Sequence, residues 1–222
     1  MKTVVIIGAS GVVGARALQH LLVREDVGRV VALGRRVLPV QHGKLVSKVA
    51  DLKSSAAMAS EIPDDVAVAV CALGTTMKQA GSKEAFRAVD RDAVVAFGQA
   101  ALQEGAQRFV LVSSIGADGH SRSFYLKTKG EAEEALAQLG YAQLTVVRPS
   151  FIDDQGARTE LRLGERIGLP LSRAFFAIVG KSNRYAPISA DTIARALVRL
   201  AFDETTERVR VVESDQLHAL GR

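Results

Sequence analysis

The feature that most constrains this chain is a set of spaced glycines between a short apolar segment and a helical pattern near residue 10. Val4–Ile7 lead into Gly8-Ala9-Ser10-Gly11-Val12-Val13-Gly14, and an amphipathic segment follows. Glycines in this pattern allow a tight turn, close approach of the backbone to a pyrophosphate, and close packing of helix on strand. The helix then offers free N–H groups and its positive dipole end to phosphates. The pattern predicts a dinucleotide-binding turn; the alternative is a turn that only needs the backbone freedom of glycine.

Short β-branched runs alternate with longer helical patterns along most of the chain. Several runs are apolar at every position, which is typical of parallel strands covered by helices on both faces. The spacing predicts an α/β fold, a doubly wound parallel sheet of the Rossmann type. The predicted strands are Thr3–Gly8, Arg29–Leu33, Lys44–Val49, Val66–Ala72, Arg108–Val112 and Leu144–Val147. The predicted helices between them are Val12–Arg24, Ser82–Glu104 and Phe124–Leu139.

The pattern changes after Arg148-Pro149. Short helical pieces are predicted at Thr159–Ile167 and Leu171–Val179, then a helix from Ala190 to Phe202 and a strand at Arg208–Val212. With 222 residues, the chain fits one domain. We therefore expect a single NAD(P)-binding domain over 1–222, in which 150–188 and 190–222 form a small C-terminal cap and edge.

The second strand ends where an acidic residue would hold the ribose 2′-hydroxyl of NAD. Here the chain reads Gly34-Arg35-Arg36 instead. Guanidinium groups pair with a 2′-phosphate, which a carboxylate would repel, so the cofactor is predicted to be NADP(H). The alternative is that both arginines are only solvated surface charges. Asp51 follows the third strand and is a candidate for the adenine amino group, although an exposed loop aspartate explains it nearly as well.

A candidate reactive set follows the fifth strand, at the edge where ligands bind in such sheets. Ser113 and Ser114 end that strand, and Tyr125 and Lys129 lie one helical turn apart beyond it. A neighbouring ammonium favours the phenolate of a tyrosine, which could then exchange a proton with a substrate oxygen held by a serine. The pattern predicts carbonyl reduction with Ser114, Tyr125 and Lys129 as catalytic residues; Ser113 stays an alternative to Ser114, and simple packing an alternative for the set.

Composition argues against other classes of function. The net charge is +5, but the basic residues are scattered, which disfavours a nucleic-acid partner. The four histidines lack metal-ligand spacing, and no metal site is expected. Cys71 lies in an apolar run and is expected to be inert core. With no predicted signal peptide or membrane span, we expect a cytoplasmic protein with a small-molecule substrate; a homodimer is common for such folds, but nothing marks an interface.

Taken together, these motifs resemble the short-chain dehydrogenase/reductase superfamily. The chain is similar to its atypical branch, which includes Tat-interacting-protein-like oxidoreductases. The matching segments are GASGVVG, LGRR, ALGTT, KEAFRAVDRD, FVLVSSIGAD, FYLKTKGEAEEAL, VVRPSFI and VVESDQL. The resemblance implies a seven-stranded parallel sheet, NADP(H), and a segment after Pro149 that closes over the nicotinamide. The expected cofactor contacts are Gly8, Ser10, Gly11, Val12, Val13, Gly14, Arg35, Arg36, Asp51, Leu52, Ala72, Leu73, Gly74, Ser113, Tyr125, Lys129, Pro149 and Phe151.

The chain departs from the superfamily pattern in two places. Many members carry an asparagine on the helix before the serine strand, where this chain has Asp90, and the loop Gly116–Arg122 before Tyr125 is short. The leading hypothesis is an NADPH-dependent oxidoreductase of a small carbonyl compound. The alternatives are an NADP(H)-binding regulatory protein without turnover, and an epimerase or isomerase that keeps its cofactor. The sequence does not define the substrate, the reaction direction or the oligomeric state.

Overall fold

The chain forms a seven-stranded parallel sheet between helical layers, as predicted. A computed structural model describes residues 1–153 and 183–222. The strand order is β3-β2-β1-β4-β5-β6-β9, so the direction of winding reverses between β1 and β4. The strands are β1 Lys2–Ile7, β2 Val27–Gly34, β3 Leu45–Val49, β4 Val66–Cys71, β5 Arg108–Val112, β6 Gln143–Arg148 and β9 Val209–Glu213; β7 Ile152–Asp153 and β8 Ile188–Ser189 form a separate parallel pair.

The helices cover both faces of the sheet because the central strands are buried on both sides. Val4 and Ile6 contribute to one apolar cluster, and Val5 and Ile7 to the other, as alternation along β1 requires. The helices are α1 Val12–Leu22, α2 Ser55–Ala59, α3 Met77–Ala80, α4 Lys83–Arg87, α5 Ala93–Gln103, α6 Phe124–Ala137, α7 Ala190–Phe202 and α8 Ser214–Leu220.

One predicted helix differs from expectation. The segment predicted as a continuous helix over Ser82–Glu104 consists of α4, a π-helical turn at Ala88–Asp92, and α5. The wider turn places Asp90, which is 1% exposed, inside the protein. Single-turn π-helices of this kind are frequent at functional sites.

Residues 190–222 pack into the helical layer and extend the sheet of the main fold. Helix α7 begins at Ala190 and ends at Phe202, as predicted; its buried face packs with that of α1 in one apolar cluster. Strand β9 pairs with β6 at the edge of the sheet, close to the strand predicted at Arg208–Val212. The pieces predicted at Thr159–Ile167 and Leu171–Val179, and most of the expected cap at 150–188, lie outside the described residues.

Candidate dinucleotide site

The cavity along the carboxyl ends of the strands has a volume of about 1240 Å³. It lies at the point where the strand order reverses, which is where open parallel sheets bind their ligands. It runs from the loops after β2 and β3, past the glycine-rich turn, to the loop after β4. Predicted cofactor contacts that line it are Gly8, Ser10, Gly11, Val12, Arg35, Arg36, Asp51, Leu52, Ala72, Leu73 and Gly74.

The glycine-rich turn is shaped by close contacts between backbone segments. Gly8 has a φ of +82°, and a Cβ added there would lie 2.4 Å from the carbonyl carbon of Ala72. A Cβ added at Gly14 would lie 2.1 Å from the carbonyl oxygen of Gly8. Gly14 therefore serves helix–strand packing, while Gly8 and Gly11 border the cavity. Any side chain at Gly8 or Gly14 would displace the backbone that forms the phosphate-binding turn.

Val13 belongs to the glycine-rich turn, but its side chain lies in the apolar core. It is buried and packs in the apolar cluster beneath α1. Among the described residues that line the cavity, neither Val13 nor Gly14 is present. Their predicted contact with the cofactor therefore remains a prediction, and Val13 supports the turn from the core.

The end of the cavity beside β2 and β3, here called the adenosine end because the adenosine of a dinucleotide would lie there in this fold, carries positive charge. Arg35 and Arg36 border it with exposed side chains directly after β2, and Lys53 borders it in the loop after β3. The carboxylate of Asp51 accepts a hydrogen bond from the backbone N–H of Lys53 at 3.0 Å. Lys53 was not predicted, because a single lysine in an exposed loop gives no sequence signal. This end of the cavity suits an anionic group.

Other lining residues were missed because they come from loops and short helices whose positions depend on the tertiary fold. Thr75 and Gln79 lie beside the loop after β4, and Val89 lies on the π-helical turn. Ile152 also borders the cavity, from the short strand that follows Pro149. The sequence signal nearest to this group was the ALGTT segment, in which Ala72, Leu73 and Gly74 were predicted as cofactor contacts but Thr75 was not.

None of the candidate reactive residues Ser114, Tyr125 and Lys129 is among the described residues that line this cavity. Tyr125 and Lys129 share one face of α6, and the ring of Tyr125 packs 5.5 Å from that of Phe86. Lys129 is buried, and its ammonium lies 2.8 Å from Oδ1 of Asp90. A Cβ added at Gly74, which does line the cavity, would be 3.5 Å from Lys129 Nζ. The loop after β4 therefore connects the cavity to the reactive set.

The two serines at the end of β5 have different partners. The Ser113 hydroxyl donates a short hydrogen bond to Glu133 Oε1, and the same carboxylate pairs with Arg148 at 2.5 Å. Among the described residues, the Ser114 hydroxyl contacts only the carbonyl oxygen of Ile115, at 3.4 Å. Ser113 is thus held in a structural network, whereas this part of the chain holds the Ser114 hydroxyl by one long contact.

Pro149 and Phe151 connect β6 to the short strand β7. The Pro149 carbonyl accepts a hydrogen bond from the N–H of Ile115 at 2.9 Å, which fixes the segment against the end of β5. Neither residue is among the described residues that line the cavity, although Ile152 between Phe151 and Asp153 is. Their predicted contact with the cofactor therefore remains a prediction.

Burial changes the ionisation of two groups near the site. Burial lowers the pKa of Lys129, but the charges of Asp90 and Tyr125 and the hydrogen bond with Asp90 raise it above its ordinary value overall. Burial raises the pKa of the Cys71 thiol to about 12, so this cysteine is inert, as predicted. Within residues 1–153 and 183–222 there is no cluster of ligands that could hold a metal ion.

The sheet, the reversal in strand order and the glycine-rich turn define a Rossmann-type dinucleotide-binding protein. The family described as NAD(P)H-binding matches residues 8–204, and the chain belongs to that family. The predicted kinship with atypical short-chain dehydrogenases/reductases is confirmed by curated relatives. The protein FMP52 of Kluyveromyces lactis is 31% identical over 96% of this chain and 95% of its own. The protein HTATIP2 of Rattus norvegicus is 31% identical over 100% of this chain and 90% of its own.

Solved structures share the fold. MoeE5 in complex with UDP-glucose and NAD superposes with a TM-score of 0.67 at 20% identity, over 99% of this chain and 80% of that one. A UDP-glucose 4-epimerase from Thermotoga maritima gives a TM-score of 0.66 at 13% identity, over 96% and 77% of the chains. At these identities the likeness shows the fold alone.

The comparisons correct one prediction. A cytoplasmic location was expected, but the FMP52 relatives from Eremothecium gossypii and Kluyveromyces lactis are both named as mitochondrial proteins. The cytoplasmic prediction rested on the lack of a recognisable targeting pattern and is wrong by this comparison. Across the described parts of the chain, no helix has the length and apolar character needed to cross a bilayer.

Proposed function

We propose that this protein is an NADPH-dependent oxidoreductase that acts on a small carbonyl compound. The proposal rests on one observation: the cofactor cavity extends to a loop that lies against the candidate reactive residue Lys129. A cavity with arginines at its adenosine end leads past the glycine-rich turn to Gly74, beside which lie Lys129 and the helix that carries Tyr125. Cofactor binding and proton transfer would thus occur at adjacent parts of one sheet edge.

The choice of NADPH over NADH rests on the end of β2. Gly34 stands where a carboxylate would bind the 2′-hydroxyl, and the exposed side chains of Arg35 and Arg36 border the cavity. A 2′-phosphate would gain charge-assisted hydrogen bonds from these guanidinium groups. Asp51 is the acidic residue at this end, and it lies one strand away, in the loop after β3.

The residues present fit a dinucleotide. Gly8 and Gly11 leave the space that a Cβ would fill, and α1 directs its N-terminus at the turn. When bound, the cofactor would supply the hydride that reduces the carbonyl carbon. Tyr125 would donate a proton to the carbonyl oxygen, and the Ser114 hydroxyl would hold that oxygen. Lys129 would hydrogen-bond the ribose and orient the nicotinamide.

The test is NADPH consumption with a panel of aldehydes, ketones and quinones, comparing wild-type protein with Tyr125→Phe. We expect turnover with at least one compound to fall by about 100-fold or more in the variant, because the positioned acid is lost. NADPH affinity should be nearly unchanged. Tyr185→Phe removes a phenol hydroxyl from a half-exposed side chain outside the described cavity and should retain full turnover.

Two results would contradict the enzyme proposal. Equal turnover in wild type and Tyr125→Phe would remove Tyr125 from the mechanism. NADPH binding by wild-type protein without turnover of any compound in the panel would favour a cofactor-binding regulatory protein. The partial separation of Tyr125 from the cavity is the structural observation that favours this second reading.

A further inference from the structure

Among the described residues, Asp90 is the most deeply buried carboxylate. It lies on the π-helical turn and is 1% exposed. Its Oδ2 accepts a hydrogen bond from the backbone N–H of Thr75 at 2.8 Å, and its Oδ1 lies 2.8 Å from the ammonium of Lys129. One carboxylate therefore contacts both the loop that borders the cofactor cavity and the lysine of the reactive set.

The packing around this carboxylate leaves little freedom. The backbone of Gly74 lies so close that an added Cβ would be 3.3 Å from Asp90 Oδ1 and 3.5 Å from Lys129 Nζ. The Lys129 side chain is 8% exposed, so water gives it little alternative solvation. A buried ammonium without a partner is strongly unfavourable, and Asp90 supplies the negative charge that allows it to remain charged.

We propose that Asp90 is a positioning residue, which holds the Lys129 ammonium and the Gly74–Thr75 loop in one fixed arrangement for the cofactor ribose. Its charge also offsets that of Lys129, so the lysine acts mainly as an oriented hydrogen-bond donor and contributes less positive field to Tyr125 than an unpaired lysine would. An asparagine at this position could still accept from Thr75 N–H, but it could not neutralise Lys129. This inference rests on the proposed cofactor site, and part of its test needs no cofactor.

The first measurement is the ionisation of Lys129 in the free protein, followed by NMR of the lysine ε-carbons in ¹³C-lysine-labelled protein. Lys129→Met identifies the signal. The titratable groups that act on Lys129 are Asp90, Tyr125 and Cys71. In Asp90→Asn the desolvation persists while the partner charge is lost, so the titration midpoint should fall by more than about one pH unit. An unchanged midpoint would overturn the proposal.

The second measurement is NADPH affinity, followed by nicotinamide fluorescence. Asp90→Asn should weaken binding by about tenfold, as expected when one charge-assisted hydrogen bond loses its orientation. Glu131→Gln is the matched control, because Glu131 on α6 pairs with Arg91 on the π-helical turn, the two segments that carry Lys129 and Asp90, and it does not line the cofactor cavity. The control should change neither measurement; equal effects of both variants would contradict a specific role for Asp90.

The double variant Asp90→Asn/Lys129→Met covers the case in which Asp90→Asn does not fold. It removes both charges of the pair, and such neutral replacements of buried ion pairs are often well tolerated. If Asp90 acts through Lys129, the double variant binds NADPH as Lys129→Met alone does. Markedly weaker binding by the double variant would overturn that link. If the wild-type protein binds no NADPH, the proposed function fails, while the Lys129 titration still tests the role of Asp90.

Discussion

Ser113 donates its hydroxyl hydrogen to Glu133, and this bond distinguishes it from Ser114 beside it. Glu133 in turn pairs with Arg148, and Arg148 lies 3.5 Å from Glu213. The network joins β5, α6, β6 and β9 at the carboxyl edge of the sheet. A serine engaged in this way stabilises the edge, and we propose that the Ser114 hydroxyl is the one that would meet a substrate oxygen.

The two serines should therefore respond differently to substitution. Ser113→Ala removes a donor from a buried carboxylate and is expected to lower the free energy of unfolding by about 1–3 kcal/mol. Ser114→Ala should leave that free energy nearly unchanged and lower kcat by about 100-fold. Urea unfolding and NADPH-dependent turnover measure the two effects. The opposite pattern, with turnover lost only in Ser113→Ala, would make Ser113 the reactive serine.

The glycine-rich turn should tolerate no side chain at its crowded positions. Gly8→Ala and Gly14→Ala each place a Cβ within 2.5 Å of backbone atoms. Each is expected to destabilise the protein by about 3 kcal/mol and to weaken cofactor binding, because the backbone itself must move. Gly43→Ala is the control, since a Cβ there would meet nothing within 4 Å. Thermal unfolding of all three variants checks the prediction, and equal melting temperatures would contradict it.

Much of the fold was predictable because the buried strands carry a strong local signal. β5 has the predicted bounds of Arg108–Val112, since an apolar β-branched run limits a strand on both sides. The π-helical turn was not predictable, because the apolar spacing of 83–103 is that of a continuous helix. Ser55–Ala59 and Met77–Ala80 were missed for another reason: helices of four or five residues are stabilised by tertiary packing more than by sequence.

The site was predictable where backbone geometry dictates residue type and less so where partners are distant in sequence. Gly8 and Gly11 were found from spacing alone, and both border the cavity. The pairing of Asp90 with Lys129 joins residues 39 positions apart and depends on the π-helical turn. The Ser113–Glu133 bond could not be found either, since a serine pair at a strand end does not show which hydroxyl is engaged.

Lys53 should add to NADPH affinity. It borders the adenosine end with Arg35 and Arg36, and Lys53→Ala is expected to weaken NADPH binding by about threefold, an effect that salt reduces because the side chain is exposed. NADH binding should change little. Lys127→Ala, at an exposed position on α6, is the control. Equal losses for NADPH and NADH in Lys53→Ala would show that Lys53 does not recognise the 2′-phosphate.

The Asp90–Lys129 pair should give the fold a dependence on alkaline pH. The folded-state pKa of Lys129 is raised above its ordinary value of 10.5. The stabilisation that charged Lys129 gives the fold is therefore complete below pH 10.5 and is lost as the pH rises through the raised pKa. Between pH 10.5 and the raised pKa, the native state binds one proton more than the unfolded state does. The free energy of unfolding therefore falls by about 1.4 kcal/mol per pH unit in this range for one such group.

Urea unfolding between about pH 9 and pH 12 tests this window, with Asp90→Asn/Lys129→Met as the reference. The wild-type protein should lose stability above pH 10.5 more steeply than the double variant, which lacks the pair. Parallel curves for the two proteins would contradict the raised pKa of Lys129.

The cofactor claim is tested most directly by titrating the protein with NADPH and NADH, with Arg35→Ala/Arg36→Ala alongside. We predict that wild-type protein binds NADPH much more tightly than NADH. The double variant should lose about tenfold or more of its NADPH affinity and little of its NADH affinity, because only the 2′-phosphate contacts are removed. Equal or tighter binding of NADH by wild-type protein, or no effect of the two substitutions, would contradict it.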